Sequence, residues 1–349
     1  MDHALALVNE ARAGGRSRPS VPGRSLVPGW CTGHNQRVST LPTLTRRRLD
    51  LAGLGIPALD ITGTPDGPQL TVLAGVHGCE YAPMAAQRSW ARSLATRELR
   101  GRILAIPVLN LPAFRARSPF VVPDDGKNLN RCFPGSPAGS LADRLAYDTF
   151  TNVIQGSDAL VDMHAGDMVE ALEPFALYDA GPAEARARDL AEAYGLGYVI
   201  RQEPGPDRAV AGTTSAAAAE IGIPAIIAEV GGRGLVEQAA VDAHVRGLNR
   251  VLAGLGMSAD PARPPDGDRP PPRSLRRFVW LHCRPEGWWE PAEQAGAVVA
   301  EGQVLGTVSS IDGTEILETI TAPADGVLMF VTSSPAVAAD GLLLGLGAR

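Results

Sequence analysis

The sequence predicts an α/β fold, in which helices cover both faces of a sheet, followed by a small all-β domain. Apolar runs of strand length alternate with alanine-rich helical segments over residues 44–257. A proline-rich stretch at residues 260–274 interrupts this alternation, and short strands and glycine turns without a long helix follow it. A chain of 349 residues exceeds the usual size of one hydrophobic core, which agrees with two domains.

The first 43 residues are predicted to be poorly ordered or to form an arm that wraps a neighbour. Residues 13–40 mix glycine, proline, serine and arginine without a period. The chain opens with an early acid and no apolar core of signal-peptide length, and no later segment reaches ~18 uninterrupted apolar residues. The four cysteines stand singly, which favours a reducing compartment. We therefore expect a cytoplasmic protein without a membrane partner.

Charge and composition narrow the class of partner further. The net charge is −6, and no basic stripe is present along the chain. Nucleic acid recognition depends on such a stripe, so we expect no nucleic acid partner. The sequence leaves open whether the protein forms a homo-oligomer.

The predicted elements follow in order along the chain. A strand-rich start at residues 44–62 precedes a sheet whose further strands are RILAIPVLN (102–110), DALVDMH (158–164), PFALYD (174–179), YVIRQ (198–202) and PAIIAEV (224–230). Helices are predicted at APMAAQRSWARSLA, SLADRLAYDTFTNVI, PAEARARDLAEAYG and EQAAVDAHVRGLNRVLAGLG. A proline-rich linker at residues 258–275 then leads into the all-β domain at residues 276–349.

Chemically capable side chains stand at the ends of these strands. The run VLAGVHGCEY places His77 and Glu80 after one apolar strand, His164 ends a second, and Glu229 ends a third. A histidine with an acid three residues later is expected roughly 0.65 times by chance in this composition, so the spacing alone proves nothing. Position carries more weight, because ligands of open α/β sheets bind at the carboxyl ends of the strands.

These residue types suit a catalytic zinc site. Two imidazoles, of His77 and His164, with the Glu80 carboxylate leave a fourth position on zinc for water. A further carboxylate, for which Glu229 is the candidate, can accept a proton from that water. Asp162 stands two residues before His164 on the same strand face, which makes it a candidate to orient the imidazole.

Four motifs together resemble the succinylglutamate desuccinylase/aspartoacylase family of zinc carboxypeptidase-like enzymes. They are HGCE at 77–80, GKNLNRCFPG at 126–135, VDMHAG at 161–166 and IIAEVGG at 226–232. Their order and spacing extend the resemblance over roughly residues 45–349. It implies a zinc carboxypeptidase-like mixed sheet flanked by helices, with residues 44–257 as the catalytic domain.

The resemblance also implies roles for single residues. One Zn²⁺ per chain would be held by His77, Glu80 and His164, with Glu229 as general base and activator of water. The alternative role for Glu229 is a structural one, in which it forms an ion pair with Arg233.

An asparagine–arginine pair of the family, which binds a substrate carboxylate or polar head, falls on Asn130 and Arg131. The family also has an upstream arginine that polarises the scissile carbonyl. Arg117 is the candidate for that role and Arg115 the second choice, because the following loop is longer here. A bidentate guanidinium suits the charge that develops on the carbonyl oxygen.

One departure from the family bears on the substrate. Residues 212–214 read Gly-Thr-Thr where some relatives carry an arginine that clamps a second carboxylate. The implied function is a zinc-dependent amidohydrolase that removes an acetyl or similar acyl group from a small N-acyl amino acid or related amine. The alternatives are a metallocarboxypeptidase acting on a peptide C-terminus and a metal-binding scaffold without activity. The acyl group, the amine and the pathway stay open.

The C-terminal domain is similar to the half-barrel of biotinyl and lipoyl carrier domains. Such carriers need a lysine at a hairpin tip, and the single lysine of the chain, Lys127, lies in the predicted catalytic domain. We therefore expect this domain to cover the mouth of the active site or to support assembly.

Overall fold

The computed structural model describes residues 41–203, 211–258 and 270–349. These residues all belong to one compact unit of the chain. The predicted N-terminal arm lies almost entirely outside the described residues, and so does most of the predicted linker. The boundary between the two predicted domains stays a prediction.

Strands contain more of the described residues than helices do. They are β1 (Thr43–Leu51), β2 (Leu54–Thr62), β3 (Thr64–Ala74), β4 (Arg100–Ile106), β5 (Ala159–His164), β6 (Glu170–Leu172), β7 (Phe175–Asp179), β8 (Tyr198–Gln202), β9 (Ala225–Glu229), β10 (Arg273–Leu275), β11 (Arg277–His282), β12 (Gly287–Pro291), β13 (Val298–Val299), β14 (Val304–Ser309), β15 (Ile316–Thr321), β16 (Gly326–Thr332), β17 (Ala336–Val337) and β18 (Leu342–Ala348).

The helices lie between the strands of the first two-thirds of the chain. They are α1 (Tyr81–Ser93), α2 (Leu111–Ala116), α3 (Leu141–Thr149), α4 (Glu184–Tyr194), α5 (Thr214–Glu220) and α6 (Gln238–Gly254). Short 3₁₀ turns occur at Leu94–Thr96 and Leu129–Arg131, and α3 continues into a π-helical turn at Phe150–Ile154. Within the described ranges, no helix is both long and apolar enough to cross a membrane.

The main sheet is mixed, as the family resemblance implies. Its nine strands have the order β1-β2-β4-β3-β5-β9-β7-β8-β10. The central strands β4, β3, β5 and β9 run parallel. The antiparallel pairs are β1 with β2, β2 with β4 and β7 with β9, while β7 and β8 pair in parallel. The parallel centre brings the carboxyl ends of β3, β5 and β9 to one edge, where the sequence predicts the site.

Helices cover the main sheet on both faces, which confirms the predicted α/β architecture. Trp90 of α1, Tyr194 of α4 and Leu248 of α6 belong to one buried apolar cluster. Leu145 of α3 and Ala217 of α5 belong to a second cluster. Central strands contribute to both clusters because successive side chains of a strand point to opposite faces.

The predicted long elements are confirmed to within a few residues at their ends. Sequence patterns missed α2 and α5, which are six and seven residues long. Two turns of helix are too short to display the 3.6-residue period on which the prediction relies.

The C-terminal part is all-β, as predicted. It consists of a sheet with the order β11-β18-β16-β13 and a second sheet with the order β15-β14-β12-β17. Two connections to the catalytic part were not predicted. Strand β6, which follows β5 in the chain, pairs with β16 of the C-terminal sheet. Strand β10, within the predicted linker, extends the main sheet beside β8.

Candidate active site

Three predicted metal ligands converge at the carboxyl ends of β3 and β5. The Nδ1 atom of His77 lies 2.6 Å from Glu80 Oε1, and His164 Nδ1 lies 3.0 Å from Glu80 Oε2. One ligand atom from each of the three residues lies within 4.8 Å of the other two, and all three residues are buried. The structure thus brings together residues that are up to 87 positions apart in the chain.

A glycine between the first two ligands allows this turn to form. A Cβ atom on Gly78 would lie 2.3 Å from the backbone carbon of Ala113, at the start of the α2 region. The backbone of the HGCE motif therefore packs directly on α2, and Glu80 directly precedes α1. A carboxylate at this place is favoured by the positive end of the helix dipole.

The outer nitrogen of each imidazole has a separate acceptor. His77 Nε2 lies 3.0 Å from Asn128 Oδ1, and His164 Nε2 lies 3.0 Å from Asp162 Oδ2. Asp162 also accepts a hydrogen bond from the Thr214 hydroxyl. The orienting role predicted for Asp162 is consistent with this contact. Metal-binding histidines commonly donate their second N–H to a carboxylate or amide oxygen in this way.

This donor set fits a divalent cation. With Nε2–H of both rings donated outwards, the two Nδ1 lone pairs face the oxygens of one buried carboxylate. Such a cluster needs positive charge at its centre, either protons or a metal ion. Burial opposes ionisation of Glu80, but His164 and His77 hold the pKa of Glu80 at about 2. Two imidazoles and one carboxylate form a donor set typical of catalytic zinc.

Glu229 lies beside this cluster. It ends β9 and is in parallel register with His164 on β5, so the two side chains share one face of the sheet. Burial raises the pKa of Glu229 to about 8. The alternative ion pair with Arg233 is not observed, because Arg233 donates to Glu237 at 2.9 Å.

The loop that carries Asn130 and Arg131 reaches the same cluster. Asn130 is buried, its Nδ2 lies 3.4 Å from His164 Nε2, and its Oδ1 accepts a hydrogen bond from the backbone of Thr214. Arg131 Nη1 donates to the carbonyl of Asn130, and Arg131 lines the cavity in front of the cluster. Asn128, which the sequence analysis did not single out, accepts from the Asn130 backbone and from His77.

Arg117 is placed differently from the other predicted residues. It follows α2 in a left-handed backbone conformation with φ of 53°, and its side chain is exposed. Neither Arg117 nor Arg115 is among the described residues that line the cavity. The role of either arginine on the scissile carbonyl stays a prediction.

A cavity of about 430 Å³ opens in front of the cluster. Its volume is in the range of small-molecule sites. The C-terminal sheet contributes Phe278, Trp280, His282, Phe330 and Leu342 to its lining, and the main sheet contributes Phe175, Leu177, Gln202, Ile227 and Glu229. The cavity therefore lies between two sheets, as expected for a C-terminal domain that covers the site.

A further carboxylate, Glu170, lines this cavity and was not predicted. Its Oε2 accepts a hydrogen bond from the backbone of Asp167, and burial raises the pKa of Glu170 to about 7. Glu170 lies on β6, where pairing with β16 decides its position. Sequence patterns offer no signal for it, because the strand is three residues long.

A buried His/Glu/His cluster at the strand ends of a mixed sheet, with a carboxylate beside it and a cavity in front, is the arrangement of a metal-assisted hydrolase. The chain belongs to the succinylglutamate desuccinylase/aspartoacylase family, whose catalytic domain matches residues 66–255. The fold and the family motifs are thus confirmed together, and the chain is a hydrolase of the deacylase type.

Individual relatives agree with this assignment. The chain is 28% identical over 268 residues to an N-alpha-acetyl-L-2,4-diaminobutyric acid deacetylase of Halomonas elongata, covering 75% of this chain and 77% of the relative. A succinylglutamate desuccinylase/aspartoacylase structure from Rhodobacter sphaeroides matches with a TM-score of 0.74 and 25% identity, over 91% of this chain and 98% of the other. The ectoine utilization protein EutE of Ruegeria pomeroyi, in a product-bound structure, shares the fold with a TM-score of 0.74 at 23% identity, over 88% and 95% of the two chains.

Proposed function

We propose that this protein is a zinc-dependent amidohydrolase that removes an acetyl or similar acyl group from a small N-acyl amino acid or related amine. One observation carries the proposal. The two oxygens of Glu80 lie between the Nδ1 atoms of His77 and His164, and Glu229, in register with His164, lines the cavity in front of them.

His77, Glu80 and His164 would hold the ion. When bound, zinc supplies positive charge that polarises the acyl carbonyl, promotes ionisation of water and lowers the pKa of neighbouring carboxyls. Glu229 would accept the proton of the attacking water on a carboxylate oxygen and pass it to the departing amine nitrogen. The amide C–N bond breaks, the water oxygen remains on the acyl carbon, and the products are a carboxylate and an amine.

Asn130 and Arg131 would bind the polar head of the substrate. Arg131 lines the cavity, and its guanidinium suits a carboxylate, which it can grip with two parallel hydrogen bonds. Asn130 accepts a hydrogen bond from the backbone of Thr214 and lies beside His164, so it would also hold the loop in place. A rigid loop places the guanidinium at a constant distance from the metal ligands.

Two further points support a small amide rather than a peptide. The cavity is walled on one side by the C-terminal sheet, and its volume of about 430 Å³ suits a small molecule. The Halomonas relative is named for removal of an acetyl group from a small amino acid. We propose the same class of substrate here.

An activity screen tests the proposal. Zinc-loaded protein is assayed with N-acetyl, N-formyl and N-succinyl amino acids and with dipeptides, in parallel with Glu229→Gln. We expect turnover of N-acyl amino acids by the parent and a loss of about 10²–10⁴-fold in kcat for the variant at unchanged zinc content. Glu220→Gln, an exposed acid at the end of α5, is the matched control and should behave like the parent.

Equal rates for the parent and Glu229→Gln would contradict the mechanism. Turnover of dipeptides alone would favour the carboxypeptidase alternative instead.

A further inference from the structure

The cavity has a second end, remote from the His77–Glu80–His164 cluster. Glu229 lies opposite Phe175 in the pairing of β9 with β7. Asp179 lies four residues further along β7 than Phe175. Gln202 lies opposite Asp179 on the next strand, β8. All these positions share one face of the sheet, since the separations along each strand are even.

The strand lattice gives the length of the cavity. Four residues along a strand and two strands across correspond to about 16 Å between Glu229 and Gln202. Side chains stand roughly perpendicular to a sheet, so their polar tips are about as far apart as their backbones. After a hydrogen-bond length of ~3 Å is allowed at each end, a ligand of about 10 Å fits between them.

The walls between these two ends are apolar. Phe175, Leu177 and Ile227 line the face of the main sheet. Phe278, Trp280 and Phe330 face them from the C-terminal sheet, with Trp280 at ring-centroid distances of 4.7 Å from Phe278 and 5.3 Å from Phe330.

This aromatic group packs closely because residue 345 is glycine. A Cβ there would lie 2.4 Å from atoms of both Phe278 and Phe330. The glycine lets the rings close over the strand, so the aromatic surface is a defined wall.

Two hydrogen-bond donors in this lining have no partner. The Nε2 atom of Gln202 and the Nε1 atom of Trp280 are both buried, and no acceptor lies within reach of either in the described structure. Gln202 is only 6% exposed. A buried donor without an acceptor is destabilising, so such donors on residues that line a cavity indicate that a ligand or water supplies the acceptor.

We propose that Gln202 and Trp280 determine substrate specificity, and that the substrate is an N-acyl amino acid with an elongated apolar or aromatic side chain that ends in an oxygen acceptor. This inference rests on the proposed amidohydrolase function. The scissile amide would lie at the His77–Glu80–His164 cluster, the apolar body along the aromatic wall, and the terminal oxygen would accept from Gln202 or Trp280. Both donors are neutral, which suits a hydroxyl or carbonyl oxygen.

Two substrates that differ in one oxygen test this inference. N-acetyltyrosine carries a hydroxyl at the far end of its side chain, and N-acetylphenylalanine lacks it. We expect the zinc-loaded parent to favour N-acetyltyrosine by at least tenfold in kcat/KM, because a site built around a hydroxyl discriminates against an analogue that leaves its donors unpaired. N-acetylalanine, which cannot reach the remote end, should be a poorer substrate than either.

Conservative variants locate the effect. Gln202→Leu nearly keeps the volume of the side chain, and Trp280→Phe keeps an aromatic ring but removes the indole N–H. We expect one or both to reduce the tyrosine-to-phenylalanine ratio to within twofold of unity. Gln155→Leu and Trp288→Phe change exposed residues outside the cavity lining and should keep the parental ratio. Calorimetric binding of N-acetyltyrosine to zinc-loaded Glu229→Gln, with and without Gln202→Leu, gives a second readout without turnover, with an expected loss of about tenfold in affinity.

The possible failures are distinguishable. If no N-acyl amino acid is hydrolysed, the proposed function itself fails. If N-acetylalanine is hydrolysed as well as N-acetyltyrosine, or if the ratio is the same in the parent, Gln202→Leu and Trp280→Phe, the amidohydrolase proposal survives and the specificity inference is overturned.

Discussion

At the level of single residues, the side chains of the candidate site were predictable from the sequence, and the residues that support them were only partly so. His77, Glu80, His164 and Glu229 follow apolar strands, and parallel pairing alone brings such positions to one edge of a sheet. Asp162 was predictable from strand alternation.

Asn128 and Glu170 were not predictable from the sequence. Asn128 reaches His77 through a loop, and Glu170 enters the cavity because β6 pairs with a strand more than 150 residues further along the chain. Neither loop geometry nor long-range pairing leaves a local periodic pattern in the sequence.

The Asp162 carboxylate is expected to strengthen zinc binding through His164. It accepts the Nε2–H of His164 and the hydroxyl of Thr214, so Asp162→Asn should loosen the orientation of one ligand and lower its basicity. We expect zinc affinity to fall by about 10–100-fold, as is common for such outer partners. A titration against a competing chelator measures this. Asp189→Asn, on the exposed face of α4, is the control, and an unchanged affinity in Asp162→Asn would show that the carboxylate plays no part in metal binding.

At the level of secondary-structure elements, the loop between α2 and α3 positions the residues that we propose to bind the substrate. Asp143 of α3 accepts from Lys127 Nζ at 2.5 Å and from the backbone and hydroxyl of Ser140. Asp125 accepts from the backbone of Ala142. These contacts fasten the loop that contains Asn130 to the start of α3.

The hydrogen bonds of Asp143 with Lys127 and Ser140 should stabilise the fold in a pH-dependent way. Hydrogen bonds from Lys127 and Ser140 lower the pKa of Asp143 to about 2, below its value of about 3.9 in an unfolded chain. Its contribution to stability is therefore complete above about pH 4, decreases as the pH falls, and vanishes below about pH 2. We expect Asp143→Asn to lower the free energy of unfolding by about 1 kcal/mol at pH 7 and by less at pH 3.

Urea unfolding of the parent and Asp143→Asn at both pH values measures that difference. Asp124→Asn, an exposed acid of the same loop, serves as control. A difference that stays constant or grows on acidification would contradict the assigned role of the Asp143 carboxylate.

At the scale of the whole molecule, the sequence indicated an all-β C-terminal part but not how closely it joins the catalytic part. A shared apolar cluster contains Phe175 and Ile200 of the main sheet together with Val327 and Met329 of β16. Pairing of β6 with β16 and of β10 with β8 adds backbone hydrogen bonds to this contact. Composition and periodicity describe each element separately. They therefore do not predict which distant segments of the chain pair with one another.

The shared cluster predicts cooperative unfolding of the two parts. Met329 is fully buried, and Met329→Ala should lower the free energy of unfolding by about 2–5 kcal/mol. We expect differential scanning calorimetry to show one transition in the parent and one, at lower temperature, in the variant. Ile316→Ala, at an exposed position of β15, should change the midpoint little. Two separate transitions, of which only one moves in Met329→Ala, would show that the parts unfold independently.

The proposed function requires that two imidazoles and one carboxylate form a metal centre, and the zinc content of the protein tests this requirement. After zinc loading and exhaustive dialysis, elemental analysis should find one zinc per chain in the parent and in His282→Ala, which changes a histidine of the same cavity that is not a ligand. His164→Asn should retain far less zinc while its far-UV circular dichroism remains that of the parent. A parent that takes up no zinc, or a folded His164→Asn that still retains one equivalent, would contradict the account.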